Sequence, residues 1–503
     1  MRHNAIVLCF LAAPLYGQTF IAIESPHHVY DGGWEHFVGG GIAAFDCDDD
    51  LQPELFVAGG TAPAKLLRNT SEVNVSFRDL TPETLAVTGV SGAYPLDYDN
   101  DGHVDLAVLR VGENMLLRGQ GGCEFEKAQL PTSDRWTTSF SATWEQNRSL
   151  PTLAFGNYVD RHDPDGPFEA CDQHELYRPE GLFYTAPILI GPGFCTLSML
   201  FTDWARTGRQ DLRVSNDRHY YVRGGQEQLW AMEEEPRLFD QEEGWIKHEL
   251  WGMGIASRDI SGDGQPDVFL SSMGDQRFQI RDGDGPSYTD AAFEYGLTAH
   301  VPFSGEDGRP STGWHAVFGD VQNDGWDDVF VTKGNVEQMP GSAIDDPNNL
   351  LVRSQTGFVE HGDHAGLASM RRSRGAVLID FNRDGLLDVA VVNRRASMEI
   401  YQNTTSDTGN FIGLSLRQEG INSNAIGAWI ELEFNDRIMP REITAGGGHA
   451  GGVLGPEHFG IGSAETARAR VIWPDGAISD WADVPVGTYS VLSRQGVELL
   501  VHD

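Results

Sequence analysis

One acidic loop design recurs five times in this chain and restricts its fold more than any other feature. Four copies are nearly identical in pattern: Asp97-Tyr-Asp99-Asn-Asp101-Gly102-His-Val-Asp105, Asp259-Ile-Ser261-Gly-Asp263-Gly264-Gln-Pro-Asp267, Asp320-Val-Gln322-Asn-Asp324-Gly325-Trp-Asp-Asp328 and Asp380-Phe-Asn382-Arg-Asp384-Gly385-Leu-Leu-Asp388. Oxygen-bearing side chains stand at positions 1, 3, 5 and 9. The glycine at position 6 takes a positive φ that a Cβ would resist. Such a loop can wrap a hard cation, and calcium is the expected one. A helix–loop–helix calcium site opens in the same way but closes with a glutamate at position 12. Here the closing aspartate comes at 9 and apolar strands flank the loop, so the expected setting is a β-hairpin. The fifth copy, Asp46-Cys-Asp48-Asp-Asp50-Leu51-Gln-Pro-Glu54, keeps the oxygens but puts Leu51 where glycine belongs. A Cβ-bearing residue forced left-handed costs roughly 1 kcal/mol or more. That predicts lower affinity or a distorted loop.

The loops are landmarks of a longer repeat. An apolar strand rich in small residues precedes each complete loop, and a second strand follows, as in 106–109, 268–270, 329–331 and 389–392. Third and fourth strands follow where the pattern is clear. Four antiparallel strands per unit describe a propeller blade. Two further units, beginning at Trp144 and Asp203, keep the frame without the ligands. Asp203 and its followers retain only positions 1, 6 and 9. First positions therefore fall at 46, 97, 144, 203, 259, 320 and 380, which predicts an all-β, seven-bladed β-propeller over residues 18–403. The last unit lacks a fourth strand, and residues 20–24 precede the first unit unpaired. This N-terminal strand is expected to join blade seven and close the ring, removing an exposed sheet edge. Residues 404–410 read as a polar linker, and 411–503 as a small β-rich C-terminal domain.

The acidic loops are similar to FG-GAP/VCBS repeats. The tail resembles an ASPIC/UnbV domain through Asn424-Ala-Ile-Gly-Ala428, Gly446-Gly-Gly-His449, His458-Phe-Gly-Ile-Gly462 and Trp473-Pro-Asp-Gly476. Together, in this order, they resemble the cartilage acidic protein family and its bacterial relatives across nearly the whole mature chain. The resemblance implies a secreted, acidic, calcium-binding propeller. It implies no defined biochemical activity.

Acidic residues outnumber basic ones by 74 to 36, a formal charge of −38. Five bound Ca²⁺ would cancel about 10 of these charges. Such a surface repels phosphates, so neither nucleic acid nor an anionic membrane is an expected partner. Residues 1–17 read as a secretory signal peptide, with Arg2 and His3 ahead of an apolar run and a cut after Gly17. No other stretch is long enough to span a membrane. The expected location is secreted or extracytoplasmic. Cys9 falls in the signal, leaving Cys47, Cys123, Cys171 and Cys195, which allow three connectivities. Cys171–Cys195 with Cys47–Cys123 is the preferred pairing, because the first two flank one insertion-like segment.

Gly446-Gly-Gly448-His-Ala-Gly451 matches a dinucleotide fingerprint by letter, but no helix-forming segment follows, so a tight backbone turn is expected. No nucleophile elbow or phosphate loop is present. The expected function is binding or cell adhesion toward an extracellular protein or glycan. The alternative is a polysaccharide-active lyase or hydrolase. The carboxylates fall inside the loops and leave no isolated acid/base pair, which favours binding. Because the calcium loops share one face, the ligand face is expected opposite them. Its candidates are Asn157, Asp160, Asn216, Asp217, Arg218, His219, Lys333, Asn335, Asn393 and Arg394 on turns, with Trp251, Trp314 and His315 near the starts of the inner strands.

Overall fold

A computed structural model describes residues 17–145, 148–164, 170–217, 222–305, 307–354 and 356–500. The expected signal peptide lies outside them except for Gly17, as do Arg218 and His219. Among the described residues the chain is almost entirely β, and seven antiparallel four-stranded units succeed one another. Their innermost strands are Ile42–Phe45, Val90–Leu96, Asp134–Thr143, Thr196–Thr202, Gly252–Arg258, Gly313–Gly319 and Arg372–Ile379. Each neighbours the next, and the last packs against the first, closing a ring of seven blades. The fourth strand of blade seven is Phe20–Ile23, paired antiparallel with Glu399–Asn403. The N-terminal strand closes the ring as its sequence position implied.

The inner strands are fully or almost fully buried, and apolar residues run along them without strict alternation. This follows from blades packed on both sides, so that neither face of a strand meets water. At some inner-strand positions only glycine fits. A Cβ on Gly254 would lie 2.4 Å from the Trp314 carbonyl oxygen. Farther out, aromatic pairs such as Phe45–Phe125 and Phe77–Phe381 fill the spaces between blades edge-to-face. One disulfide joins Cys47, in the first acidic loop, to Cys123 at the edge of blade two. The second joins Cys171 to Cys195.

After the ring come two four-stranded sheets. One runs Glu457–Gly462, Asn410–Leu416, Tyr489–Ser493, Gly496–Leu499; the other runs Arg437–Glu442, Trp429–Phe434, Ala467–Ile472, Ala482–Val484. They share a core that includes Ile412, Ile430, Leu432, Phe459 and Trp473. This C-terminal module sits on the face of the ring that carries the acidic loops. From it, residues 445–454 run into the central channel. Val453–Leu454 pairs in parallel with Ile42–Phe45 as a fifth strand of the first blade. Deeper in, Ala445, Gly448 and Gly451 form bridges to Ala142, Ile255 and Ala93 on three other inner strands.

The glycine run is required by this threading. Gly446, Gly447 and Gly448 all have positive φ, and a Cβ on Gly448 would strike the His315 ring at 2.3 Å. His449 is fully buried. Its Nδ1 lies 2.9 Å from the Met253 carbonyl oxygen, its Nε2 accepts the Gly39 N–H, and its own N–H donates to His315 Nδ1. The letter match to a dinucleotide fingerprint is thus a channel-filling turn. No helix in the described residues is long and apolar enough to cross a membrane.

Candidate functional site

The acidic loops share one hydrogen-bonding scheme, and it assigns different work to different positions. The position 1 aspartate organises the turn. Asp97 accepts the Asp101 N–H at 3.2 Å on Oδ1 and the Gly102 N–H at 3.1 Å on Oδ2. Asp320 repeats this with Asp324 and Gly325, and Asp380 with Asp384 and Gly385. Asp259 uses Gly262 and Gly264; Asp46 uses Asp48 and Leu51. At position 5, Asp50, Asp101, Asp263, Asp324 and Asp384 each accept the N–H two residues on. Position 9 ties the loop to its blade. Asp328 accepts the Val321 N–H within the loop and the Arg353 N–H on the third strand, at 3.1 and 2.8 Å. Asp105, Asp267 and Asp388 do the same on their blades. Glu54 accepts the Cys47 N–H.

Asp203 explains why the fourth unit keeps positions 1, 6 and 9. Its carboxylate accepts the Thr207 and Gly208 N–H groups at 2.8 and 2.7 Å, as in a complete loop. Asp211 accepts the Met232 N–H. Positions 1, 6 and 9 therefore hold the hairpin, and the fourth unit departs from the complete loops at positions 3 and 5, where it has Ala205 and Thr207. Leu51 takes the glycine's place at φ 66°, so the first loop keeps its shape and carries the strain.

Burial raises the pKa of these carboxyls. Desolvation, only partly offset by backbone donors, lifts Asp46, Asp267 and Asp380 to about 6 and Asp105 and Glu54 to about 8. Asp320, Asp328 and Asp388 are pushed well above the usual carboxylate range by the same cause.

The donor set fits a hard cation. Carboxylate oxygens of Asp46, Asp48 and Asp50 lie within 4.8 Å of one another, as do those of Asp97, Asp99 and Asp105. Two oxygens on one Ca²⁺ can be no farther apart than twice its ligand distance of about 2.3–2.6 Å. Moreover, Asp48 Oδ1, Asp99 Oδ1 and Asn382 Oδ1, all at position 3, are shielded from solvent without any hydrogen-bond donor. An orphaned buried acceptor costs about 1–3 kcal/mol, which a bound cation would remove. In the other two loops position 3 differs: Ser261 replaces the carboxylate, and the Gln322 carbonyl oxygen accepts from Gln18.

Two residues that sequence reasoning missed stand beside these loops. Arg118 pairs with Asp99 at 2.6 Å and Asp101 at 2.8 Å, while Arg68 pairs with Asp48. Both lie at the fourth residue of a third strand, and Lys65-Leu-Leu-Arg68 and Met115-Leu-Leu-Arg118 were the available sign. Their guanidinium groups partly neutralise the first two loops.

The C-terminal module covers this face through named contacts. Ser423 Oγ donates to Asp97, Tyr489 Oη to Asp380, and Arg437 to the Gly325 carbonyl. Glu442 accepts from Thr202 Oγ1 and the Asp203 N–H of the ligand-poor fourth unit. Arg441 forms a buried ion pair with Asp327. A cavity of about 510 Å³ remains between the module and the 259–267 loop, bordered by Arg206, Asp263, Glu431 and Arg437.

On the opposite face most of the expected ligand-face residues are buried. Asn157, Asn216, Asn335, Asn393, Lys333, Arg394, Trp314 and His315 are buried, as is Asp217; Asp160 and Trp251 are half-buried. The four asparagines close turns. Thr137, Thr196 and Ser373 donate to the amide oxygens of Asn157, Asn216 and Asn393, whose Nδ2 groups hold the following turn carbonyls. Asn335 Nδ2 donates to the Met339 carbonyl, and the Trp314 indole N–H to that of Gly334. Arg394 is spent on Glu337 and on the His36 and Gly32 carbonyls. Trp34, Trp136 and Tyr158 pack edge-to-face beside the channel. Residues 445–454 occupy the channel against the inner strands.

Residues 418–498 match the family described as ASPIC and UnbV. No curated protein matches the chain. Among solved structures it is similar to BBS1N in complex with ARL6DN, at 10% identity and a TM-score of 0.46, covering 78% of this chain and 99% of that one. It is also similar to the SapL1 lectin in complex with alpha methyl fucoside, at 12% identity and TM-score 0.38, covering 66% and 96%. A third is an Agrocybe aegerita structure described as recognising non-reducing terminal N-acetylglucosamine, at 14% identity and TM-score 0.31, covering 75% and 82%. Likenesses this distant bear on neither ligand nor activity.

Proposed function

We propose that this chain is an exported calcium-binding propeller that acts as a binding or adhesion module toward an extracellular protein or glycan. The observation that carries the calcium reading is the set of buried position 3 oxygens, Asp48 Oδ1, Asp99 Oδ1 and Asn382 Oδ1, which no protein donor reaches. Asp97, Asp99, Asp101 and Asp105 would hold one ion. The equivalent groups at 259–267, 320–328 and 380–388 would hold three more, and the Leu51 loop a weaker fifth. The ion would cancel charge that the folded loop concentrates and would cross-link its turns. Export is supported by the N-terminal apolar run and is compatible with two disulfides. A binding role is supported by the acidic clusters being absorbed into loop frames, which leaves no isolated acid/base pair for catalysis.

Titration calorimetry and metal analysis of the full chain test the first part. Four ions, with a fifth of lower affinity, are expected; none at millimolar Ca²⁺ refutes the calcium reading. Pull-down from extracellular fluid, with and without EDTA, tests the second part. New reducing ends or unsaturated products from a polysaccharide panel would move the reading to an enzyme.

A further inference from the structure

The module does more than rest on the acidic loops: in two of them it supplies a donor to the organising carboxylate. In the second blade, Asp97 Oδ2 accepts both the Gly102 N–H and the Ser423 hydroxyl, the latter at 2.5 Å. In the seventh, Asp380 Oδ2 accepts both the Gly385 N–H and the Tyr489 hydroxyl, again at 2.5 Å. The two donors come from distant parts of the module yet reach the same oxygen of the same loop position. A carboxylate oxygen has about two acceptor sites. Oδ2 is thereby filled in both loops, while Oδ1 has only one backbone donor and keeps a lone pair free. Around Asp97 the module adds a further clasp, with the Asn422 and Ser423 N–H groups both donating to Asn100 Oδ1.

We propose that the C-terminal module completes the metal loops of the second and seventh blades. Ser423 and Tyr489 act as positioning residues that fix the first carboxylate with Oδ1 turned to a divalent cation. This rests on the calcium reading above and adds a consequence: cation uptake and module docking are one coupled equilibrium. Linkage makes the effect reciprocal. A docked module tightens the ion, and a bound ion tightens the module by the same factor.

The test uses the full chain. Calcium titrations would compare the natural protein with Ser423→Ala, Ser423→Thr and Tyr489→Phe, with melting in EDTA as the check on folding. Ser423→Ala and Tyr489→Phe should each weaken one ion, by about 5- to 150-fold, and leave the others unchanged. Ser423→Thr should restore it, since the hydroxyl is kept. Chelation should also speed proteolysis within 404–410. If calcium binds and both hydroxyl deletions leave every affinity unaltered, the coupling is wrong and the calcium reading stands. If all ions weaken together with the EDTA melting point, the two residues are merely structural and the proposal fails. If the natural chain takes up no calcium, the calcium reading fails and the proposal with it.

Discussion

Asp203→Ala separates the frame of these loops from their ligands. Asp203 is 2% exposed, and its carboxylate accepts the Thr207 and Gly208 N–H groups at 2.8 and 2.7 Å. Hydrogen bonds to a charged group contribute about 1.5–3 kcal/mol each. Part of this is offset. Thr207 and Gly208 are exposed, so water can reach the freed N–H groups, and the substitution removes a desolvated carboxylate next to Glu442. The net cost should be about 2 kcal/mol. Unfolding entropy of about 2.1 cal/mol/K per residue gives a chain of this length about 1 kcal/mol/K, so the melting point should fall by roughly 2 °C. The fall should be equal in EDTA and in millimolar Ca²⁺, with the bound ion count unchanged. Differential scanning calorimetry under both conditions, with metal analysis, measures all three quantities. Loss of an ion would refute the reading of the fourth unit as ligand-poor, and a destabilisation seen only with calcium would refute the framing role of Asp203.

Three further outcomes follow from the same geometry. Asp384→Ala should remove one ion and lower the melting point mainly in calcium, because position 5 lies at the partly exposed rim; metal analysis and paired melts check this. In metal-free buffer, Glu442→Gln should flatten the pH dependence of stability. Desolvation at the seam raises Glu442 from 4.5 to about 8, so its favourable contribution is complete below 4.5 and is lost as pH rises through 8. Melting at pH 5 and pH 8 reads the difference. Finally, removing Cys47–Cys123, which spans 76 residues, should cost about 4.5 kcal/mol, against about 3.4 for Cys171–Cys195, which spans 24. Denaturation of the two double-serine variants tests that order.

The sequence by itself determined the blade count and the ring closure. Both depend on short-range chemistry: a glycine with positive φ, oxygens at alternate positions, and apolar strands on either side of each loop. These recur with the blade period, so even the ligand-poor unit at Asp203 could be placed, because positions 1, 6 and 9 hold its hairpin together. The unpaired strand at residues 20–24 identified its own partner, since only the last unit lacked a fourth strand. Only the tertiary structure decided where the module sits and what remains exposed. Ser423 meets Asp97 across 326 residues and His449 meets Met253 across 196, and single contacts at such separations leave no periodic trace. The same holds for the opposite face. Asn157, Asn216 and Asn393 read as polar turn residues free to bind a ligand, yet a hydroxyl on the neighbouring strand takes each one. Polarity in a sequence marks a group that needs partners. Whether those partners come from solvent, a ligand or the chain itself is settled by burial, which is a property of the packed ring.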